Sequence, residues 1–320
     1  MDSQTTNQTR WSIILAGGEG KRMASFINRW TGSTMPKQFC TFVGTRSMFQ
    51  HTLDRVSLIC PLEKTVIVSQ RNQQHYAHVQ LRGRCVAKTI LQPVNCETAP
   101  AIFAGLSYVR AYDPDAIVTI YPADHFIYPE RRFAQTVESA INASATLRHR
   151  LVLLGVFPDK PERDYGIIQP STPLGWSHGR RVRALESFLE KPRGTHDDGD
   201  TVGNGALWNT MILTAHLKRL WESGWRCLPQ LMSLFERYSA AVGTSSEQSV
   251  LEEIYEKMPI INFSTELLER VPKDIAVMEL TGVLWSDWGR PERVLEVLSC
   301  IGKQPAFSAA PAAAAGCFSS

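Results

Sequence analysis

The chain has 320 residues, 43% of them hydrophobic, with 34 basic and 31 acidic side chains and a net charge of +3. That length supports one large core, either in a single domain or with a small annex. The near balance of charge argues against a nucleic-acid surface, because neutralising a run of phosphates needs a concentrated basic face.

In chain order, Ile13–Ala16 reads as a first strand that runs straight into Gly17-Gly18-Glu19-Gly20-Lys21-Arg22. Further short, often β-branched apolar runs follow at Thr65–Ser69, Val86–Leu91, Ala116–Tyr121 and Leu151–Phe157. Such runs suit a parallel sheet buried on both faces. Helices are expected between them over Ser47–Cys60, Gln70–Leu81, Thr98–Tyr112 and Glu130–Leu147, the last keeping Phe133, Val137, Ala140 and Ile141 at helical spacing. The alternation implies right-handed βαβ units and a doubly wound, Rossmann-like α/β fold. Beyond Phe157 the runs lengthen and carry polar interruptions: Tyr165–Gln169, Val182–Glu190 and Ala206–Thr214 read as strands of a mixed sheet. Arg180-Arg181-Val182-Arg183 reads as a solvated strand entry. Helices are expected at His216–Glu222, Leu228–Ala241 and Ser249–Lys257, then a strand at Ile275–Leu280 and a closing helix at Pro291–Cys300, together a small C-terminal helical and β extension. Residues 1–303 are expected to form one domain. The tail "QPAFSAAPAAAAGCFSS", 304–320, is low in complexity and expected to be disordered.

Seven cysteines, an odd count with no CxxC pair, argue against a disulfide framework and a zinc site. The N-terminus lacks the apolar core of a signal peptide, and no apolar run approaches the ~20 residues of a membrane span. A soluble, cytoplasmic protein without membrane or nucleic-acid partners is the expectation.

The first strand and its glycines pose the chemical question. In α/β sheets ligands sit beyond the carboxyl ends of strands. Glycines let backbone N–H groups approach an anion, and Lys21 and Arg22 add positive charge, with Arg22 able to grip phosphate by its fork. Strand, open backbone and cations together read as a phosphate cradle; a plain tight turn is the alternative. There is no GxxxxGK[ST], and no third glycine at the dinucleotide spacing, so neither a P-loop nor a dehydrogenase fingerprint is present.

"LAGGEGKRM" followed by "MPKQF" (Met35–Phe39) resembles the sugar-1-phosphate nucleotidyltransferases, and the PKQF form points to their mannose-1-phosphate guanylyltransferase branch. Further matches follow in order: "QPVNCETAPAI" (Gln92–Ile102), "YPADHFI" (Tyr121–Ile127), "DYGIIQP" (Asp164–Pro170), "FLEKP" (Phe188–Pro192), "LWNTMIL" (Leu207–Leu213), "FSTELLERVPKDIAVMEL" and "WSDWG" (Trp285–Gly289). The resemblance runs from about residue 11 to 300 and implies transfer of a nucleotidyl group to a sugar 1-phosphate with release of pyrophosphate. Such an in-line displacement needs two polyanions held in alignment, hence cations and a divalent metal.

The resemblance assigns roles. Asp124 and Asp287 would hold Mg²⁺, a hard ion that prefers oxygen ligands; by itself Asp124 also suits a helix cap or turn. Arg22 and Lys37 match the triphosphate-binding cations. Lys191 resembles the holder of the sugar's 1-phosphate, Glu190 and Asn209 would contact sugar hydroxyls, and Gly166 would offer its backbone to the hexose. The base would lie over the loop at Gly17 and near Gln92, Glu97 and Thr98, with Gly18 and Gly20 in the same substrate-binding loop. The substrates implied are a nucleoside triphosphate, GTP first, and mannose 1-phosphate; a homodimer is a further implied partner.

The chain also departs from the family pattern. Glu97 stands where relatives often carry Asn, and can serve either as an acceptor for guanine N–H groups or as a solvent-facing substitution. The stretch 23–35 between Arg22 and Pro36 is a longer lid and lacks the usual proline, and "WNTMIL" lacks the usual glycine. Another sugar phosphate, another NTP, or a non-catalytic nucleotide-sugar-binding regulator therefore remain alternatives. No room is left for the isomerase domain of bifunctional relatives, so a single transferase activity is expected.

Overall fold

A computed structural model describes residues 9–160, 162–191 and 205–307. Eleven strands occur among them: β1 Arg10–Leu15, β2 Thr65–Gln70, β3 Lys88–Gln92, β4 Ile117–Pro122, β5 Phe126–Tyr128, β6 Leu151–Val156, β7 Ile167–Ser177, β8 Arg180–Leu189, β9 Leu207–His216, β10 Ile275–Glu279 and β11 Leu284–Ser286. Nine form one sheet in the order β3-β2-β1-β4-β9-β6-β10-β8-β7, while β5 and β11 make a separate antiparallel pair. The β1, β2, β3 and β4 ladders are parallel, as is β6–β10, and β9 lies antiparallel between β4 and β6. The carboxyl ends of β1, β4, β6 and β10 therefore share one edge. An additional β9–β7 pairing curls the far half of the sheet back on itself. The expected mixed α/β sheet is thus observed.

Alternation along the strands divides the core between the two faces. Ile13, Val66, Val68 and Ile120 pack with Phe103 and Leu106 of α4 (Thr98–Tyr112), and with α6 (Leu217–Cys227), α7 (Pro229–Ala241) and α8 (Glu247–Glu256). Ile14, Ile67, Val152 and Leu154 pack against α2 (Met48–Ser57), α3 (Gln74–Gln80) and α5 (Glu130–Thr146). Strands β2 and β6 are buried at every position; β6 accordingly reads as an unbroken apolar run, while β2 has an apolar centre, Val66–Val68, flanked by buried Thr65, Ser69 and Gln70. α2 opens with a full capping box, Ser47 and Gln50 bonding each other's backbone.

Two expectations are corrected. The stretch 23–35, read as a lid, begins as a helix: α1 spans Lys21–Thr31, entered from Gly20 and closed by Gly32, both left-handed. Met23 and Ile27, one turn apart, are buried on its inner face. They join a third cluster with Phe42, Met48, Trp288, and Val294 and Leu298 of the closing helix Pro291–Cys300. Each such side chain contributes roughly 1.5–3 kcal/mol when fully buried. The tail, expected to be disordered from residue 304, is placed as far as 307. Ala306 N–H donates to the Phe42 carbonyl, and Phe307, 4% exposed, packs on Phe26, Trp30 and Phe42. The remainder of the tail, and Pro192 of the "FLEKP" motif, lie outside the described residues. Among the described residues no helix is long and apolar enough to cross a membrane.

Candidate active site

The loop after β1 is braced from beneath by three glutamines. Gln38 Nε2 shares its two hydrogens among the carbonyls of Ala16 and Gly18, at 2.8 and 2.9 Å, and Gln73 Oε1, at 3.0 Å. Gln73 Nε2 donates to the Gly18 carbonyl, and Gln70 Nε2 to that of Gly17. With these carbonyls taken up, the loop can present N–H groups to an anion where it turns into the start of α1, the end of a helix that favours negative charge. Gly20, at φ +62°, favours glycine on two counts: the left-handed backbone strains other residues, and a Cβ there would lie a tight 3.0 Å from the Cβ of Lys37.

Lys37 projects from a single 3₁₀ turn, Lys37–Phe39, and is buried. Its ammonium pairs with Asp124 Oδ2 at 2.7 Å and donates to the backbone carbonyl of Asp287. Asp124 follows β4, and its side chain keeps a third of its surface exposed. Burial pushes its carboxyl up, but Lys37 and neighbouring His125 outweigh that and hold it below the usual carboxylate range. Behind it, Trp285 Nε1 donates to His125 Nδ1 at 3.2 Å.

Asp287, 7% exposed, is the hub of the site. Its Oδ1 accepts from Tyr165 Oη at 2.8 Å, Arg293 Nη1 at 2.7 Å and the Gly289 N–H at 2.9 Å; its Oδ2 accepts from Arg22 Nη2 at 2.9 Å. Burial raises its carboxyl, yet Lys37, His125 and Arg293 together hold it far below the ordinary value. Gly289 makes the arrangement fit: a Cβ there would lie 2.5 Å from Asp287 Oδ2 and 2.7 Å from Arg22 Nη2.

A cleft of about 420 Å³ is walled by Gly17, Gly18, Gly20, Arg22, Lys37, Gln92, Glu97, Thr98, Asp124 and Lys191; Asp287, Gly166, Glu190 and Asn209 are not among its described lining residues, and Asp287 adjoins it through Gly289. Gln92 and Thr98 also serve the scaffold, since Gln92 Nε2 donates to Tyr255 Oη at 2.6 Å and Thr98 Oγ1 accepts from the Phe263 N–H at 2.8 Å. Lys21 lies at the cleft too, but is exposed and pairs with Glu19, which lines it as well. Glu190 bonds Lys191 at 3.1 Å, and its backbone N–H donates to Glu269. Gly166 and Asn209 meet through the Asn209 N–H and the Gly166 carbonyl at 2.8 Å, and a Cβ on Gly166 would touch the Glu190 carboxylate. The expected sugar-contacting residues are thus gathered beside one another.

Among the described residues no group of three or more His, Cys, Asp or Glu is assembled for a metal. The donor set nonetheless fits Mg²⁺, which habitually takes one or two carboxylates and completes its shell with water and substrate phosphates. Asp124 and Asp287 would be those carboxylates, on condition that Arg22 leaves Asp287 Oδ2.

Sequence reasoning missed Asp164, Tyr165, Arg290 and Arg293, which surround Arg22 and Asp287. Arg293 lies over the Tyr165 ring at 4.7 Å and pairs closely with Glu162. Asp164 and Tyr165 lie inside the DYGIIQP motif, where the resemblance points to Gly166 alone; the two arginines carry no signal until Asp287 is placed.

The family described as Nucleotidyl transferase matches residues 11–304. The mannose-1-phosphate guanylyltransferase of Escherichia coli K12 is 25% identical over 294 residues, covering 90% of this chain and 59% of that protein. The alginate biosynthesis protein AlgA of Pseudomonas aeruginosa is 28% identical over 212 residues, 66% of this chain and 42% of that protein. The chain spans about half the length of the curated relatives it matches. A crystal structure from Thermus thermophilus, named as a mannose-1-phosphate geranyltransferase, superposes with a TM-score of 0.74 at 25% identity, covering 90% of this chain and 79% of that one. A UDP-glucose pyrophosphorylase bound to UDP-glucose, 14% identical with a TM-score of 0.55, shares the fold. The matched span takes in the braced glycine loop, both aspartates and the lysine-bearing strand end, and on that evidence the chain belongs to the nucleotidyl transferase family.

Proposed function

We propose that this chain joins mannose 1-phosphate to the guanylyl group of GTP, releasing pyrophosphate. The observation that carries the reading is the cleft in which glycine loop, Arg22, Lys37, Asp124 and Lys191 converge. The names of the curated relatives support the choice of sugar and base.

An oxygen of the sugar phosphate attacks the α-phosphorus; the new P–O bond forms as the bond to the β-phosphate breaks, and the electron pair leaves with pyrophosphate. The attacking oxygen is already ionised, so no general base is needed. The protein's task is alignment and charge. The loop N–H groups and Arg22 face the leaving phosphates, and buried Lys37 lies between the two aspartates where the α-phosphate would sit. Lys191 draws in the sugar phosphate, while Glu190, Asn209 and the Gly166 backbone take the hexose hydroxyls. Glu97, on the cleft wall, accepts from the guanine N–H groups. Magnesium, when bound by Asp124 and Asp287, supplies neutralising charge to the phosphates.

The test is pyrophosphate release with each of GTP, ATP, UTP, CTP and dTTP against a panel of hexose 1-phosphates. Turnover should peak with GTP and mannose 1-phosphate, and Asp124→Ala should lower kcat by at least about 100-fold, the scale of losing a principal electrostatic group. A peak at another pair would move the specificity and keep the chemistry. Nucleotide-sugar binding with no turnover for any pair would replace the reading with a regulatory binding protein.

A further inference from the structure

Asp164 stands in the segment between β6 and β7, and one oxygen of its carboxylate collects three guanidiniums. Oδ2 accepts from Arg22 Nη1 at 2.8 Å, Arg290 Nη2 at 2.6 Å and Arg293 Nη2 at 3.2 Å. The arginines come from distant parts of the chain: Arg22 from the first turn of α1, Arg290 from the cap of the closing helix and Arg293 from that helix's first turn. Glu162 is the second carboxylate here, 3.6 Å from Arg290 and in close contact with Arg293.

The three cations differ in their freedom. Arg293 is 6% exposed and committed to Asp287 and Tyr165 as well. Arg22 and Arg290 are about half exposed, at 49% and 51%. Arg22 walls the cleft, as does Gly289, the residue before Arg290. Three planar forks converging on Oδ2 alone exceed the two lone pairs of that oxygen, so they share it with imperfect geometry. A phosphate group offers three oxygens and more charge, and so satisfies the same forks better. Arg22 is also held on both sides, by Asp164 and by Asp287, so it cannot turn fully into the cleft without releasing one of them.

We propose that Arg290 joins Arg22 in seating the two outer phosphates of the triphosphate, and hence departing pyrophosphate, with buried Arg293 fixed behind them on Asp287 and Glu162, and that Asp164 competes for this seat as an internal anion. The inference rests on the nucleotidyl-transfer reading and deepens it. It makes Arg290 a polyphosphate contact and Asp164 a latch on Arg22. The opposite role for Asp164, holding Arg22 ready for phosphate, predicts the opposite sign.

Inorganic pyrophosphate titrated calorimetrically into the magnesium-containing full-length chain separates the two. Asp164→Asn removes the competing charge while keeping the shape, and should tighten pyrophosphate binding by about three- to tenfold, the scale of one partly exposed charge-assisted bond. Arg290→Gln should weaken it by about tenfold, with Arg290→Lys intermediate because charge survives and the fork does not. In turnover assays the KM for the triphosphate should move in the same directions while the KM for the sugar phosphate stays. Thermal midpoints measured alongside confirm that each variant is folded. Unchanged or weaker binding in Asp164→Asn, or unchanged binding in Arg290→Gln, overturns the proposal. The outcomes also separate the two readings. Pyrophosphate binding that shifts as expected in a chain without turnover would leave the seat intact and sink the activity; turnover with variant-insensitive binding would do the reverse.

Discussion

Glu97 sits at φ +70° and ψ −165°, a backbone region that residues other than glycine rarely enter. Holding a side chain there costs of order 1–3 kcal/mol and persists only where the surroundings over-determine it. Two contacts do so: the Glu97 N–H donates to Asn95 Oδ1 at 3.0 Å, and Asn262 Nδ2 reaches its carboxylate at 3.4 Å. The strain falls on the cleft wall assigned above to the base. Glu97→Gly is therefore expected to raise stability by about 1 kcal/mol, seen as a higher thermal midpoint. The same change should cut the preference of kcat/KM for GTP over ATP by about tenfold, the effect of losing a polar contact that reads the base. A lower midpoint with unaltered preference would make Glu97 an ordinary surface residue.

At the scale of elements, α1 carries both stability and chemistry. Met23 and Ile27 anchor its inner face, and Arg22 leaves its first turn for Asp164 and Asp287. Ile27→Ala should cost roughly 2–4 kcal/mol by removing buried volume, read as a lower denaturant midpoint. Because Arg22 rides on the same helix, the KM for the triphosphate should rise as well. Normal KM with lost stability would mean that the phosphate contacts are set by the Gly17–Gly20 loop rather than the helix. The helix was legible in retrospect: Met23, Phe26, Ile27 and Trp30 recur at helical spacing. Reading Lys21 and Arg22 as the cations of a loop concealed that they also begin a helix, and a glycine N-cap gives a weaker start signal than Ser or Asp.

At the scale of the whole molecule, acid stability has an identifiable contributor away from the cleft. His216, where β9 hands over to α6, is buried, and Arg148 Nε donates to its Nε2 at 3.1 Å. Burial, then the Arg148 charge, lower its pKa; Lys218 adds to this and Asp115 opposes it. In the unfolded chain the ring titrates near its ordinary value of about 6.5. Below that value the unfolded state binds a proton that the folded state resists, so this contribution is present above about pH 6.5 and is lost as pH falls. His216→Gln, which keeps an acceptor for Arg148, should flatten the decline in unfolding free energy between about pH 7 and 5. An unchanged decline would assign the acid limb to other groups.

The sequence by itself determined the nine strands of the large sheet, most of the helices, the mixed α/β architecture and the order of the family motifs, but not the short β5–β11 pair. Each of these is local: an apolar period, a turn residue, or a short run of fixed spacing. It also marked Arg22, Lys37, Asp124 and Asp287, since those stand inside such runs. What only the tertiary structure decided is who meets whom. The curl that pairs β7 with β9 brings Gly166, Glu190 and Asn209 together, and no period in the chain encodes that closure. Arg22 and Asp164 are 142 positions apart, Arg22 and Asp287 265, and the charge network they share exists only once the sheet has folded. An ion pair leaves no mark on the residues between its partners, so nothing in the sequence marks Arg290 and Arg293 as partners of Asp164 and Asp287.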